Sequence, residues 1–177
     1  VGEGSHCGNH SHVVQNEARG NPMTYHNPAS ILASGTIVWN TWRRDYPDVQ
    51  AFEPNLHAVD LRHAQLQGID FHEVDLTEAD LQGADLRGAD LRSADLRHAN
   101  LRGADLSDAH LQKAHFHGAD LSQAKLCRAN LQRADLSNAD MRGADLSHAN
   151  MEKANLDQAQ FAEGSASPHA PRKVNHA

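Results

Sequence analysis

Aromatic side chains are scarce in this chain, at 5% of 177 residues, so the bulky groups that usually fill a globular core are missing. Cysteine is scarcer still: Cys7 and Cys127 cannot form a disulfide framework. No apolar run reaches the 18 residues or so of a transmembrane helix, and no membrane insertion is expected. The opening Val1-Gly-Glu-Gly-Ser carries no signal-peptide pattern. The expected location is cytoplasmic, or extracytoplasmic if a signal upstream of Val1 was removed. Charge is also modest. Charged residues make up 22% and the net charge is -7, too little of either sign for a chain kept open by self-repulsion. The acidic balance speaks against direct nucleic-acid binding through phosphates.

What the chain has is a repeat. From Leu56 to Phe161 a Leu, Phe or Met recurs at every fifth position, 22 times in one frame. Two residues before each stands a smaller residue: Val59, Ala64, Ile69, Val74, then Ala at all 17 positions from Ala79 to Ala159. Between the two ladders lies Asp or Asn in most repeats, as in Ala84-Asp85-Leu86-Arg87-Gly88. A step of five turns an α-helix by about 140° net, so the ladder would spiral over every face. A flat strand alternates faces at each residue, so an odd period fails there too. The pattern works if every repeat turns a corner. A short extended side then points the small and the large residue inward, and polar residues or Gly form the bend. Four corners close a square coil of 20 residues, and 22 repeats build about five and a half coils. With layers about 4.8 Å apart, the rod is roughly 26 Å long. The expected fold is an all-β solenoid with a narrow, filled bore.

These tandem A(D/N)LxX units, over about residues 54–163, resemble the pentapeptide-repeat protein family. The resemblance implies a right-handed quadrilateral β-helix, and the handedness comes from it alone. Some family members imitate DNA and bind DNA gyrase, so a DNA-mimic binder of a topoisomerase is one reading. The chain departs from that pattern. No loop interrupts the frame, no apolar dimer helix follows it, and residues 54–163 hold 18 Asp+Glu diluted by 11 Lys+Arg.

Four segments are expected: a flexible His-rich stretch 1–26, a capping helix with linker 27–53, the β-helix 54–163, and a flexible tail 164–177. Asn27-Pro28 is a helix start. Ile31, Gly35, Val38, Trp39, Trp42 and Tyr46 follow at helical spacing, and Pro47 stops the run, which predicts one helix over 28–46. Trp39 and Trp42 are expected to cover the N-terminal opening of the solenoid. The stretch Asn-Pro…Ile-Leu…Gly…Trp-Asn-Thr-Trp-Arg also resembles a leader that precedes the repeats in some family members.

Residues 20 apart stack, so outward side chains sort into columns. Asp60, Asp80, Asp120 and Asp140 form one acidic column, and Asp85, Asp105 and Asp145 another. The simplest reading is that each Asp closes its own turn. Lys113, Arg133 and Lys153 form a basic column flanked by Arg128, a docking stripe or a solvated edge balanced by Asp135. Arg87, Arg92, Arg97 and Arg102 fall on four different sides and make no patch. His6, Cys7, His10 and His12 have donor types suited to Zn or Cu but lack a second half-site, and metal binding by this segment is a further alternative. His98, His115 and His117 adjoin on one side, and Cys127 lies outward between Ser107 and Ser147. No nucleophile–base pair is apparent, and neither enzymatic activity nor a cofactor is expected. The C-terminal coil presents Leu146, Met151, Leu156 and Phe161, and the tail 164–177 that follows has no apolar face to cover them. The leading expectation is therefore a non-enzymatic protein–protein interaction module that pairs as a homodimer through this coil.

Overall fold

The computed structural model describes residues 28–45 and 54–162. The expectations for the His-rich segment, its ligand candidates, the Tyr46-Pro47 helix end and the tail lie outside the described residues.

Each pentapeptide supplies one bridged residue, and each bridge is parallel and joins positions 20 apart, from Asn55↔Asp75 to Asp140↔Gln160. The sides are too short to be strands in the ordinary sense. Their hydrogen bonds nevertheless account for every backbone N–H of a typical repeat. In Asp80-Leu81-Gln82-Gly83-Ala84, Asp80 N donates down to Val59 O (2.9 Å) and Leu81 N donates up to Asn100 O (2.8 Å). Gly83 N donates up to Arg102 O (3.0 Å), and Ala84 N closes the corner on Leu81 O (3.0 Å). The fifth donor, Gln82 N, has no backbone partner; it donates to the side chain of Asp80 at Oδ1 (3.1 Å). This is why Asp or Asn recurs every fifth residue: a short side-chain acceptor two residues back serves the one donor that the ladder leaves over.

Gln65, His110, His115 and Lys125 break that rule: His and Lys carry no side-chain oxygen, and the longer Gln65 turns its Oε1 to Gln67 Nε2 (2.9 Å). Restoring the acceptor is expected to stabilise the fold: His110→Asn should gain about 0.5–1 kcal/mol by serving Gln112 N. Urea denaturation reads this directly, and an unchanged midpoint would show that water serves Gln112 N equally well.

The corner geometry is uniform. The residue before each small apolar one has φ near +60°, from Ala58 (54°) to Gln158 (60°), with the i+3→i bond across it, as in a type II turn. Only six of these corner positions are Gly; fifteen carry side chains in a left-handed conformation. Gly118 answers a second demand: a Cβ there would lie 2.7 Å from His98 Nδ1 of the coil below.

The interior is filled as the two ladders require. Every large ladder residue from Phe71 to Met141 is at most 1% exposed. Leu146, Met151, Leu156 and Phe161 in the last coil are only partly buried.

The predicted single helix 28–46 is instead two: α1 (Pro28–Leu32) and α2 (Thr36–Asp45). Gly35, at φ 98°, ends the first turn pair by donating to Leu32 O (2.9 Å) and re-aims the chain into α2. The break turns α2 onto the first coil. Trp39 is fully buried, 5.3 Å from the Trp42 ring and 5.4 Å from that of Phe71, edge-on to the latter. Side chains of α2 take the places that another coil's backbone would fill. Trp39 Nε1 donates to Asp70 O (2.6 Å), Asp70 N donates to Asn40 Oδ1 (2.9 Å), and Asn40 Nδ2 donates to Gly68 O (2.9 Å). Arg43 Nη2 donates to His72 O, and Thr36 Oγ1 to Gln65 O (3.4 Å). The edge at Asp60 and Arg62 has no such partner among the described residues. Beside it, α1, Gly35, Val59, Leu61 and Leu66 line a cleft of about 310 Å³.

Candidate interaction surfaces

The acidic columns stand where the sequence puts them, with Asp60, Asp80, Asn100, Asp120 and Asp140 bridged in succession. Their carboxylates are engaged locally. Arg62 binds Asp60 through Nε (2.9 Å) and Nη2 (2.6 Å), and Arg87 binds Asp85 likewise (2.8 and 2.6 Å). Asp90 with Arg92, Asp95 with Arg97 and Asp140 with Arg142 repeat the pattern. An Arg two residues after an Asp points from the same turn and reaches both oxygens. Arg102 follows Asn100 and has no such pair. The guanidinium of Arg62 holds the Asp60 carboxyl down at about 2, and Arg87 does the same to Asp85. Burial pushes Asp90 and Asp95 upward, but their arginines outweigh it and the net direction is down. Asp105 accepts from Ser107 Oγ (2.6 Å), and Asp80 from Asn100 Nδ2 (3.0 Å). Turn closure accounts for this acid, as the simpler reading expected. The missed signal was the Asp-Leu-Arg triplet, which was legible as an intra-turn ion pair.

In the basic column, Lys113, Arg133 and Lys153 occupy one corner register at φ 61°, 62° and 61°, all exposed. The expected balance by Asp135 is not made: Asp135 Oδ1 accepts instead from Ser137 N (3.1 Å) and Asn155 Nδ2 (3.0 Å). Only Lys153 has an anionic neighbour within 4 Å among the described residues, Glu152 at 3.6 Å. Arg128 adds nothing to the stripe, since Asp108 binds it bidentately (2.7 and 2.6 Å).

His98 and His117 are in edge-on ring contact at 5.7 Å, and His117 Nδ1 lies 2.9 Å from Ser137 Oγ; His115 stands apart, bridged between Asp95 and Asp135. Among the described residues no three His, Cys, Asp or Glu side chains are placed to hold a metal ion. Cys127 is a half-exposed free thiol, 3.7 Å from Arg128 Nη1. The cleft beside α1 is lined by apolar groups and holds one carboxylate, Asp60, which Arg62 already binds. No described helix is long and apolar enough to cross a membrane.

Among the described residues the ladder stops open at its C-terminal end. The N–H groups of Leu146, His148, Met151, Lys153, Leu156 and Gln158 would donate to a following coil, as Leu126 and Arg128 donate to Asp145 and Ser147. Among the described residues they have no acceptor.

A four-sided parallel solenoid with a filled bore and chemically distinct columns outside is a protein of the quadrilateral β-helix class. The chain belongs to the pentapeptide repeat family, whose model matches residues 55–92, 89–126 and 129–163. The crystal structure of Rfr23, a pentapeptide repeat protein from the cyanobacterium Cyanothece 51142, is 29% identical, with a TM-score of 0.60. The match covers 68% of this chain and 96% of that one. The pentapeptide repeat protein alr5209 from Nostoc PCC 7120 is 33% identical over 70% of this chain and 94% of its own, with a TM-score of 0.34. QnrB1, a plasmid-mediated fluoroquinolone resistance protein, shares 16% identity over 64% of this chain and 80% of its own, at a TM-score of 0.32. No curated protein matches the chain. Structural neighbours of the family have right-handed quadrilateral β-helix folds, and its members are in general structural or interaction proteins without enzymatic activity.

Proposed function

We propose that this chain is a non-enzymatic interaction module of about five and a half coils, closed at one end and self-associating at the other. The observation that carries this is the asymmetry of its ends. At the N-terminal end Trp39, Asn40 and Arg43 of α2 hydrogen-bond the first coil's edge from Gly68 to His72. At the C-terminal end six ladder N–H groups have no acceptor among the described residues, over a layer of half-buried Leu146, Met151, Leu156 and Phe161. An unpaired parallel edge beside an apolar patch recruits another chain unless something covers it. Two identical ends meeting about a two-fold axis bury both patches and close the assembly at a dimer. The helical end blocks further growth. The topoisomerase-mimic reading is the weaker one, because the Asp columns are engaged by arginines and turn N–H groups.

Sedimentation velocity tests this. The wild-type chain is expected to sediment as a dimer at micromolar concentration, and Met151→Lys with Phe161→Asp as a monomer with an unchanged circular dichroism spectrum. A monomeric wild type would refute end-to-end pairing.

A further inference from the structure

The side built from residues 110–113, 130–133 and 150–153 is chemically unlike the other three over the same length of rod. Elsewhere the bridged position keeps carboxylates: Asp135 on one side, Asp120 and Asp140 on the next, Asp105 and Asp145 on the third. Here the bridged residues are His110, Asn130 and Asn150. Asn130 and Asn150 still close their turns, accepting from Gln132 N (3.2 Å) and Glu152 N (3.1 Å). The fold is served, and the bridged position of this side carries no negative charge; its one carboxylate is Glu152. The cations of this side differ accordingly from Arg62, Arg87, Arg92, Arg97 and Arg142, each bound to the Asp two residues before it. Lys113 and Arg133 have no ion pair among the described residues, and the Glu152 beside Lys153 also accepts from Gln132 Nε2 (2.8 Å).

The backbone fixes their spacing. All three lie at the same corner of successive coils, so their Cα atoms rise in steps of about 4.8 Å and span about 10 Å. We propose that this stripe docks an acidic α-helix of a partner protein, lying along the rod axis. Carboxylates at i, i+3 or i+4, and i+7 of a helix are spaced about 4.5–6 Å and span about 10.5 Å, which matches the column. An extended strand with acids at i, i+2 and i+4 spans about 13 Å and falls out of step. Nucleic acid demands a broad positive field, whereas this chain is net -7 with three stacked cations. The short stripe fits one acidic helical face. The Nδ2 groups of Asn130 and Asn150 on the same side, which have no partner among the described residues, add donors for those carboxylates.

The proposal rests on the reading of the chain as an interaction module, and it uses a side of the rod rather than its end. A fluorescent alanine-rich helical peptide with Glu at i, i+4 and i+7 on one face is titrated with the full chain in 50 mM salt. The readout is anisotropy. Binding is expected to be at least tenfold tighter than for an isomer with the same Glu residues spread around the helix, and to weaken with salt. Combining Lys113→Gln, Arg133→Gln and Lys153→Gln should cost tenfold or more, while Arg62→Gln with Arg142→Gln changes nothing. Equal binding of the two isomers, an unaffected triple variant, or tighter binding of duplex DNA than of the peptide would overturn the proposal. Sedimentation of the same samples reads end pairing separately. A triple variant that stays dimeric but loses the peptide supports the docking stripe. A chain that is monomeric and still binds the peptide through these cations refutes end pairing alone.

Discussion

Leu106→Asp is expected to abolish cooperative folding. Leu106 has no exposed surface and stacks in a column with Leu86 and Leu126, so the new carboxyl meets hydrocarbon from the coils above and below. The cations of the rod all stand outside the bore, and none reaches inward to pair with it. Losing the burial of the Leu side chain forgoes about 1.5–3 kcal/mol. Placing a carboxyl in a dry site costs several kcal/mol more, whether it stays ionised or takes up a proton. The sum rivals the whole stability of an ordinary domain. The lesion also sits in mid-rod, and in a solenoid each coil is held only by its neighbours, so the damage splits the stack. Far-ultraviolet circular dichroism and thermal melting decide it. A variant that keeps the wild-type spectrum and melts within a few degrees would show that the bore is hydrated. Leu156→Asp is the control. That ladder position is only half-buried, and its variant should fold with a loss of about 1–2 kcal/mol.

Trp39→Ala is expected to release both helices from the rod. Trp39 joins the helices to the rod by packing and by hydrogen bonding at once: it is fully buried, packs on Trp42 and Phe71, and donates to Asp70 O. Truncating such a residue costs roughly 3–5 kcal/mol, and Asp70 O loses its donor besides. The loss falls at the end of a one-dimensional stack, so the helical end should melt first and separately while coils farther along persist. Fluorescence of Trp42, the one Trp left, reports that step, and circular dichroism reports the rod. A single transition at the wild-type temperature would mean that α2 adds nothing to the end of the solenoid. Trp39→Phe keeps the packing and loses one hydrogen bond, so its cost is expected to be nearer 1 kcal/mol.

The sequence by itself determined the period, the inward and outward residues, and the stacking of positions 20 apart. It could do so because each of these depends on neighbours within one repeat or one coil, and the same conflict with helix and strand geometry recurs 22 times. The role of Asp was legible in kind, as a turn acceptor. Which N–H it serves emerges only when the other four donors of the pentapeptide are seen to be spent on the ladder and the corner. The pairing of Asp135 was misjudged for a similar reason: its oxygen goes to Ser137 N and Asn155 Nδ2, partners chosen by turn closure and by the next coil rather than by charge. The break at Gly35 was beyond reach of the helical spacing, which runs unbroken through it. Tertiary structure decided it, because Trp39, Asn40 and Arg43 bond residues 28–31 positions away on the rod's first edge, and that edge exists only once the coil has closed.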